Sequence, residues 1–322
     1  MDIGATYSQW ATNRYFDEES RKELAAIEGN NTEIRDRFYK ELDFGTAGIR
    51  GVIGAGTNRM NKYVVRRLST AIAAHILSKG TKAKKDGVVI GYDSRNFSDV
   101  FAKEAAAVFA GNGIKVYLHT DIVPVPVLSY SVRQLRCAAG VMITASHNPK
   151  EYNGYKVYGP DGAQLSLEDS KQISRLMQAI TDYTKVPSFS FDFFKTGNNI
   201  KYVDNSIKQN FFKDVKKLIA DKDGFKKNAK NLTVVYTPLH GAGAKWIPEL
   251  LKECGVTNLH TVKEQMQPDG NFSTINLPNP EDPAAFTMAL ELAKEVNADI
   301  VLASDPDADR TGIYAKTPDG GY

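Results

Sequence analysis

Three short apolar runs, at 88–90, 114–118 and 138–143, are separated by two stretches of helical character at 98–110 and 125–135. Short strands alternating with longer helices leave few ways to fold, because parallel strands need a crossover long enough to hold a helix. The order βαβαβ predicts a sheet layered between helices. A second series follows, with strands at 232–236, 258–262 and 300–303 and helices at 244–254 and 283–296. The fold class expected is therefore α/β, with two successive domains whose mixed, mostly parallel sheets lie between helices. We place the boundary at residue 205, giving domains 1–205 and 206–322.

Other elements carry their own signals. Val64, Leu68, Ile72 and Ile76 recur every four residues and predict a helix with one apolar face, on which His75 reads as structural. Ser20 and Glu23 form a capping box that predicts the first helix, and Ser166 with Asp169 forms another ahead of Ile173, Leu176 and Ile180. The polar stretch 195–199 reads as a loop or hairpin turn, and a helix over 206–218 as the lead into the second unit. Thr317-Pro318-Asp319-Gly320-Gly321 is a hairpin turn followed by Tyr322 alone, so a hairpin lacking its return strand is expected there.

Composition excludes several classes. With 41 basic and 38 acidic side chains the net charge is only +3, too mild for nucleic-acid binding. The clusters Lys82/Lys84/Lys85 and Lys226/Lys227/Lys230 read as solvated ends. No apolar run has the length of a membrane span, and the amino terminus lacks a signal-peptide core. Cys137 and Cys254 are isolated, which points to a reducing cytoplasm.

Two segments carry chemistry. Thr144-Ala145-Ser146-His147-Asn148-Pro149 places a serine in a polar turn just after a strand, the position where open α/β sheets bind ligands. Asp305-Pro306-Asp307-Ala308-Asp309-Arg310 places three carboxylates at alternate positions after another strand. Their repulsion calls for a counter-ion. A calcium loop of the EF-hand type is excluded, since its sixth position is Arg310 and its twelfth Lys316. A solvated acidic loop is the alternative without metal. Together the segments suggest a phosphoserine completing the shell of a magnesium ion held by Asp305, Asp307 and Asp309. About three negative charges would then remain, and Arg310 could supply a forked donor to phosphate.

With these segments the chain resembles the phosphoglucomutase/phosphomannomutase family of the α-D-phosphohexomutase superfamily. The resemblance extends to Gly45-Thr46-Ala47-Gly48-Ile49-Arg50-Gly51, Gly91-Tyr92-Asp93-Ser94-Arg95 and Asn153-Gly154-Tyr155-Lys156-Val157-Tyr158. It implies that Ser146 is the phosphorylated nucleophile and that Ser146, Asp305, Asp307 and Asp309 bind one Mg2+ per active site. It also implies that Arg50, Lys156 and Arg310 contact the phosphoryl group or assist proton transfer, and that His147 belongs to the active site. The implied reaction interconverts glucose 1-phosphate and glucose 6-phosphate through glucose 1,6-bisphosphate, in carbohydrate metabolism. Phosphopentomutase, phosphomannomutase and a non-catalytic metal- or phosphate-binding fragment are the alternatives, and a phosphatase that hydrolyses the phosphoserine is another. A sugar phosphate is the expected partner, without nucleic acid or membrane, and oligomeric state is left unassigned. Family members carry third and fourth domains for sugar and phosphate binding, so the resemblance implies an amino-terminal portion.

Read as residues, Gly45, Gly48 and Gly51 predict a loop around Arg50 that could approach an anion. A hairpin would fold Lys156 back toward Ser146, where burial and neighbouring cations would lower its pKa and suit it to acid or base work. Asp93, Arg95 and Asn148 read as supports of the serine loop, with Asp93 and Arg95 pairing or bracing it. Gly241-Ala242-Gly243-Ala244-Lys245 matches neither a dinucleotide fingerprint nor a P-loop.

Overall fold

Val, Ile and small residues dominate the two central apolar runs, and both become strands buried on both faces, as parallel strands covered by helices must be. The computed structural model describes residues 2–46 and 48–322. The first sheet comprises β1 (Gly48–Val52), β2 (Val88–Tyr92), β3 (Val116–Leu118), β4 (Ala139–Ile143), β5 (Tyr152–Tyr158) and β6 (Ile200–Tyr202), in the order β1-β5-β4-β2-β3-β6. Strands β4, β2, β3 and β6 run parallel, while β5 is antiparallel to both β4 and β1. The second comprises β7 (Thr233–Thr237), β8 (Asn258–Thr261), β9 (Ile300–Ser304) and β10 (Thr311–Ala315), in the order β10-β9-β7-β8, with only β10 antiparallel. The chain is thus α/β with two mostly parallel sheets.

Helix Lys62–Ser78 covers one face of the first sheet and packs against helices Ser98–Gly111 and Leu167–Ala179. Its Val64, Leu68, Ile72 and Ile76 are all buried, as the four-residue spacing requires. Ser166 caps the last of these helices, its hydroxyl accepting from Asp169 N at 3.1 Å.

The amino terminus departs from expectation. Helix Glu18–Ala25 is capped by Asp17, whose carboxylate accepts from Ser20 N at 2.8 Å, so Ser20 lies inside the helix. Glu23 instead accepts from Ala55 N at 3.1 Å and pairs with Arg37. Helices Ile3–Thr12 and Asn31–Phe38 flank it. They are short, and what holds them is tertiary: Trp10 stacks on Phe16 with ring centroids 4.2 Å apart and meets Phe38, Tyr63 and Tyr183 edge-on.

The stretch expected as a loop at 195–199 is the end of helix Phe191–Thr196 and a turn feeding β6. With one buried residue, Ile200, β6 is too short to show periodicity. It is recruited by the edge of β3, through Val116 N to Asn199 O at 3.2 Å and Val203 N to Leu118 O at 3.0 Å. Helix Ser206–Lys217 packs Ile207 into the core on the other face of the first sheet, and Tyr130 Oη donates to Asp214 at 2.7 Å. Its Phe211 and Phe212 also meet Trp246 edge-on, so this helix touches both units. Tyr322 is anchored, its hydroxyl 2.8 Å from Ala298 O and 3.0 Å from Ala293 O. Among the described residues, no helix is long and apolar enough to cross a membrane.

His119, just beyond β3, is buried with Nε2 3.2 Å from Ser131 Oγ. Ser131 Oγ donates to Val127 O at 2.8 Å, leaving its lone pairs for a neutral imidazole. Burial pushes the imidazole down to about 4, from 6.5. The unfolded chain therefore binds a proton that the folded chain refuses, and stability falls as pH drops from about 6.5 toward about 4. This group alone removes up to about 3 kcal/mol across that window. Urea unfolding at pH 7.5 and 4.5 should show a smaller acid loss for His119→Gln than for the parent chain; equal losses would contradict the assignment.

Candidate functional site

The carboxyl ends of parallel strands β2, β4 and β9 deliver the functional loops to one place. Ile143 ends β4, and Ser146 follows with φ of 55°, a left-handed conformation that costs a non-glycine residue about 1–2 kcal/mol. Arg95, just past β2, offsets that cost. Its guanidinium donates to Ser146 O at 2.6 Å, to Pro149 O at 2.8 Å and to Tyr152 O at 3.0 Å, and also to Asn148 O. It lies over the ring of Phe272, 5.0 Å from the centroid, a contact across the two units that the sequence did not suggest. Asp93 accepts from Arg95 N at 3.0 Å, from Ser98 Oγ at 2.8 Å and from Thr144 Oγ1 at 2.6 Å. The two residues thus both pair with each other and hold the serine loop.

The acidic loop meets that serine directly. Ser146 Oγ donates to Asp305 Oδ2 at 2.8 Å. Carboxylate oxygens of Asp305, Asp307 and Asp309 lie within 4.8 Å of one another, with the first two residues buried. The loop's backbone supports this arrangement: Asp309 N and Arg310 N both donate to Asp305 Oδ1 at 3.1 Å, and Val125 N donates to Asp307 O at 2.8 Å. Gly241, in the stretch excluded as a nucleotide-binding loop, lies against Pro306. A Cβ there would come 2.4 Å from Pro306 Cα, so the glycine lets the backbone brace the acidic loop. Ala242 N donates to Pro306 O at 2.8 Å.

Electrostatics separate the carboxylates. Burial, with repulsion from Asp307 and Asp309, raises the pKa of Asp305 well above the ordinary carboxylate range. Burial would also raise Asp307, but the Lys156 ammonium holds it below the ordinary carboxylate range. Asp307 Oδ1 is buried without a hydrogen-bond partner. An unpartnered carboxylate oxygen inside a cluster of three fits a hard divalent cation, whose preferred ligands are such oxygens.

Lys156 stands on β5 opposite Met142 of β4, so the hairpin expected from the sequence brings it to the site. Its neighbours are anionic: Nζ lies 2.8 Å from Asp307 Oδ2 and 3.2 Å from Asp309 Oδ2. Burial alone would lower its pKa, but these carboxylates outweigh burial and raise it. The expectation of a lowered pKa, with cationic neighbours, is therefore corrected.

Arg50 lies on β1 opposite Gly154 and is not in a loop. The glycines around it serve the sheet: a Cβ on Gly48, with φ of 153°, would fall 2.0 Å from Tyr155 O. Ala47 lies outside the described residues. The exposed Arg50 guanidinium reaches Asn148 Oδ1 at 3.2 Å. His147 Nδ1 is 3.4 Å from Ser146 Oγ, and burial together with Arg310 and Arg50 lowers its pKa. Arg310 pairs with Glu281 at 2.8 Å, a partner the sequence reading missed. It also gave no role to Thr144, which touches both loops and is fully buried.

A serine hydroxyl on a cluster of carboxylates, with His147 beside it and the charges of Arg310 and Arg50 felt at His147, suits phosphoryl transfer. Known proteins resemble the chain across both units. The family profile for phosphoglucomutase/phosphomannomutase α/β/α domain I matches residues 41–184, and that for domain II matches 209–320. The chain is 38% identical over 285 residues to a phosphoglucomutase of Staphylococcus saprophyticus, covering 88% of this chain and 50% of that one. A phosphoglucomutase of Staphylococcus aureus is 40% identical over 284 residues, with 87% and 49% covered. A structure from Thermus thermophilus, solved as a candidate phosphomannomutase, superposes with a TM-score of 0.70 at 28% identity, covering 86% of this chain and 57% of that one. The chain belongs to the phosphoglucomutase/phosphomannomutase family of α-D-phosphohexomutases. It spans about half the length of the curated relatives it matches.

Gly154 shows how tightly the serine loop is set against the sheet. A Cβ there would lie 2.5 Å from Thr144 O and 2.8 Å from Ile49 O, both backbone atoms. Gly154→Ala should therefore destabilise the chain by about 1–3 kcal/mol. Denaturant unfolding checks this, and an unchanged midpoint would contradict the close approach.

Proposed function

We propose that this chain provides the phosphoryl-transfer machinery of a mutase that interconverts glucose 1-phosphate and glucose 6-phosphate. The observation that carries the reading is the Ser146 hydroxyl hydrogen-bonded to Asp305 inside the three-carboxylate cluster. The names of the two curated relatives described above favour glucose phosphates over mannose or pentose phosphates.

In this reading Ser146 carries a phosphoryl group. The P–O bond to Ser146 Oγ breaks as a free hydroxyl of the sugar monophosphate forms a new P–O bond, yielding glucose 1,6-bisphosphate and the serine hydroxyl. The bisphosphate turns over and returns its other phosphate to Ser146. Asp305, Asp307 and Asp309 hold Mg2+, which when bound supplies positive charge against the phosphoryl oxygens. Arg50 and Arg310 supply further positive charge, Arg310 after leaving Glu281, and His147 lines the serine. Lys156 carries positive charge to the transferring group, and it can donate a proton only if it leaves its two carboxylates. Positioning and charge supply most of the catalysis of such transfers. We assign sugar selection to parts of the relatives beyond the matched half. The two unpaired cysteines, Cys137 and Cys254, support a reducing, cytoplasmic location.

Incubation with glucose 1,6-bisphosphate should place phosphate on Ser146, read by peptide mass spectrometry, and Ser146→Ala should remain unmodified. Phosphate on another serine with Ser146 bare would refute the assignment. Asp307→Asn should weaken Mg2+ binding at least about tenfold in calorimetric titration, since it removes a buried ligand charge; unchanged affinity would oppose the ligand role. A coupled assay for glucose 6-phosphate formation should show turnover at least about a hundredfold below a full-length family enzyme, because lost positioning alone costs several kcal/mol. Comparable turnover would show that this chain needs no further part of the family architecture.

A further inference from the structure

We propose that Thr144 is the positioning residue that couples the Ser146 backbone to the acidic loop. The proposal rests on the phosphoryl-transfer reading of this site. Three contacts converge on one oxygen atom: Thr144 Oγ1 accepts from Ser146 N at 2.8 Å and lies 2.6 Å from Asp93 Oδ2 and 3.0 Å from Asp307 Oδ2. The residue is fully buried, so it meets neither solvent nor a sugar phosphate, and any effect on transfer must pass through its neighbours.

Each contact fixes a different part of the site. Ser146 has φ of 55°, a backbone state that persists only when its surroundings determine it. Its carbonyl is held by Arg95 at 2.6 Å and its N–H by Thr144, so both backbone groups that set the direction of Oγ are anchored. Asp93 connects the two anchors, accepting from Arg95 N and standing within 2.6 Å of the threonine hydroxyl. The third contact reaches across to Asp307, the buried carboxylate in line to bind the cation. A hydroxyl supplies one proton and two lone pairs: a lone pair here accepts from Ser146 N, and the single proton is shared between the Asp93 and Asp307 carboxylates, with Asp93 the nearer. No substitution that keeps only the shape of the side chain can do the same.

Thr144→Val preserves volume and β-branching and removes only the hydroxyl. Ser146 N then loses its acceptor, and Asp93 and Asp307 lose the group between them. Two readouts apply to this chain as it stands. Calorimetric Mg2+ titration should show affinity weakened about 10–100-fold, the range seen when a group that orients a ligand is lost. The rate of phosphate transfer from glucose 1,6-bisphosphate to Ser146, followed by mass spectrometry, should fall by a similar factor at saturation. The half-saturating bisphosphate concentration should stay unchanged, because Thr144 does not touch the sugar. Thr144→Ser, which keeps the hydroxyl, should restore both. If Thr144→Val does not fold, Thr144→Ala, judged by circular dichroism, takes its place with the same expected losses. Parent-like affinity and maximal rate in a folded variant without the hydroxyl would overturn the proposal, as would failure of Thr144→Ser to recover either. If the parent chain itself neither binds Mg2+ nor takes phosphate on Ser146, the phosphoryl-transfer reading falls and this proposal with it.

Discussion

The carboxylates of Asp305 and Asp307 lie within 4.8 Å of each other in the buried acidic loop. Were both ionised, two unit charges at that separation would repel by roughly 3 kcal/mol even at an effective dielectric constant near 20, so burial and this repulsion together raise the pKa of Asp305. The fold answers with donors from the first sheet: the Ser146 hydroxyl on Asp305, the Thr144 hydroxyl beside Asp307, and the Lys156 ammonium between Asp307 and Asp309. The same contacts join the two sheets, so cancelling the acidic loop's charge also sets how the units meet.

That junction tolerates little movement because its backbone approaches are close. Gly154 sits beneath Thr144 O, and Gly241 lies against Pro306, each where a side chain would collide with main-chain atoms. Val125 N holds Asp307 O from the start of helix Val125–Gln134. More peripheral ties are weaker: Asn96 Nδ2 meets Asn271 Oδ1 at 3.0 Å, and Lys245 pairs with Asp121 where both are half exposed and solvent screens the charges. The centre of the interface is therefore held by close main-chain approaches and buried hydrogen bonds, and its periphery by exposed ones.

Much of this was legible in the sequence because its signals are local. The βαβαβ alternation gave the sheets, and two strand-end loops presented a serine and a cluster of carboxylates. Where local signals misled, a tertiary partner had overruled them. Asp17 captured the cap expected of Ser20, and Glu23 turned to Ala55 N and Arg37. The glycines around Arg50 looked like a loop shaped to approach an anion, yet Gly48 is there because β5 passes too close for a side chain.

The amino-acid order by itself determined which chemical groups the strand ends present, since a hydroxyl in a turn and acids at alternate positions are properties of neighbouring residues. It could not determine what each group would face, because those neighbours lie far along the chain. Lys156 and Asp307 are 151 residues apart, and Thr144 and Asp307 are 163 apart. Only the packing of the two sheets decided that Lys156 would be raised by carboxylates instead of lowered by cations, that Arg310 would rest on Glu281, and that Thr144 would stand between both loops. A side chain's protonation and reach follow from the field around it, and that field exists only once the chain has folded.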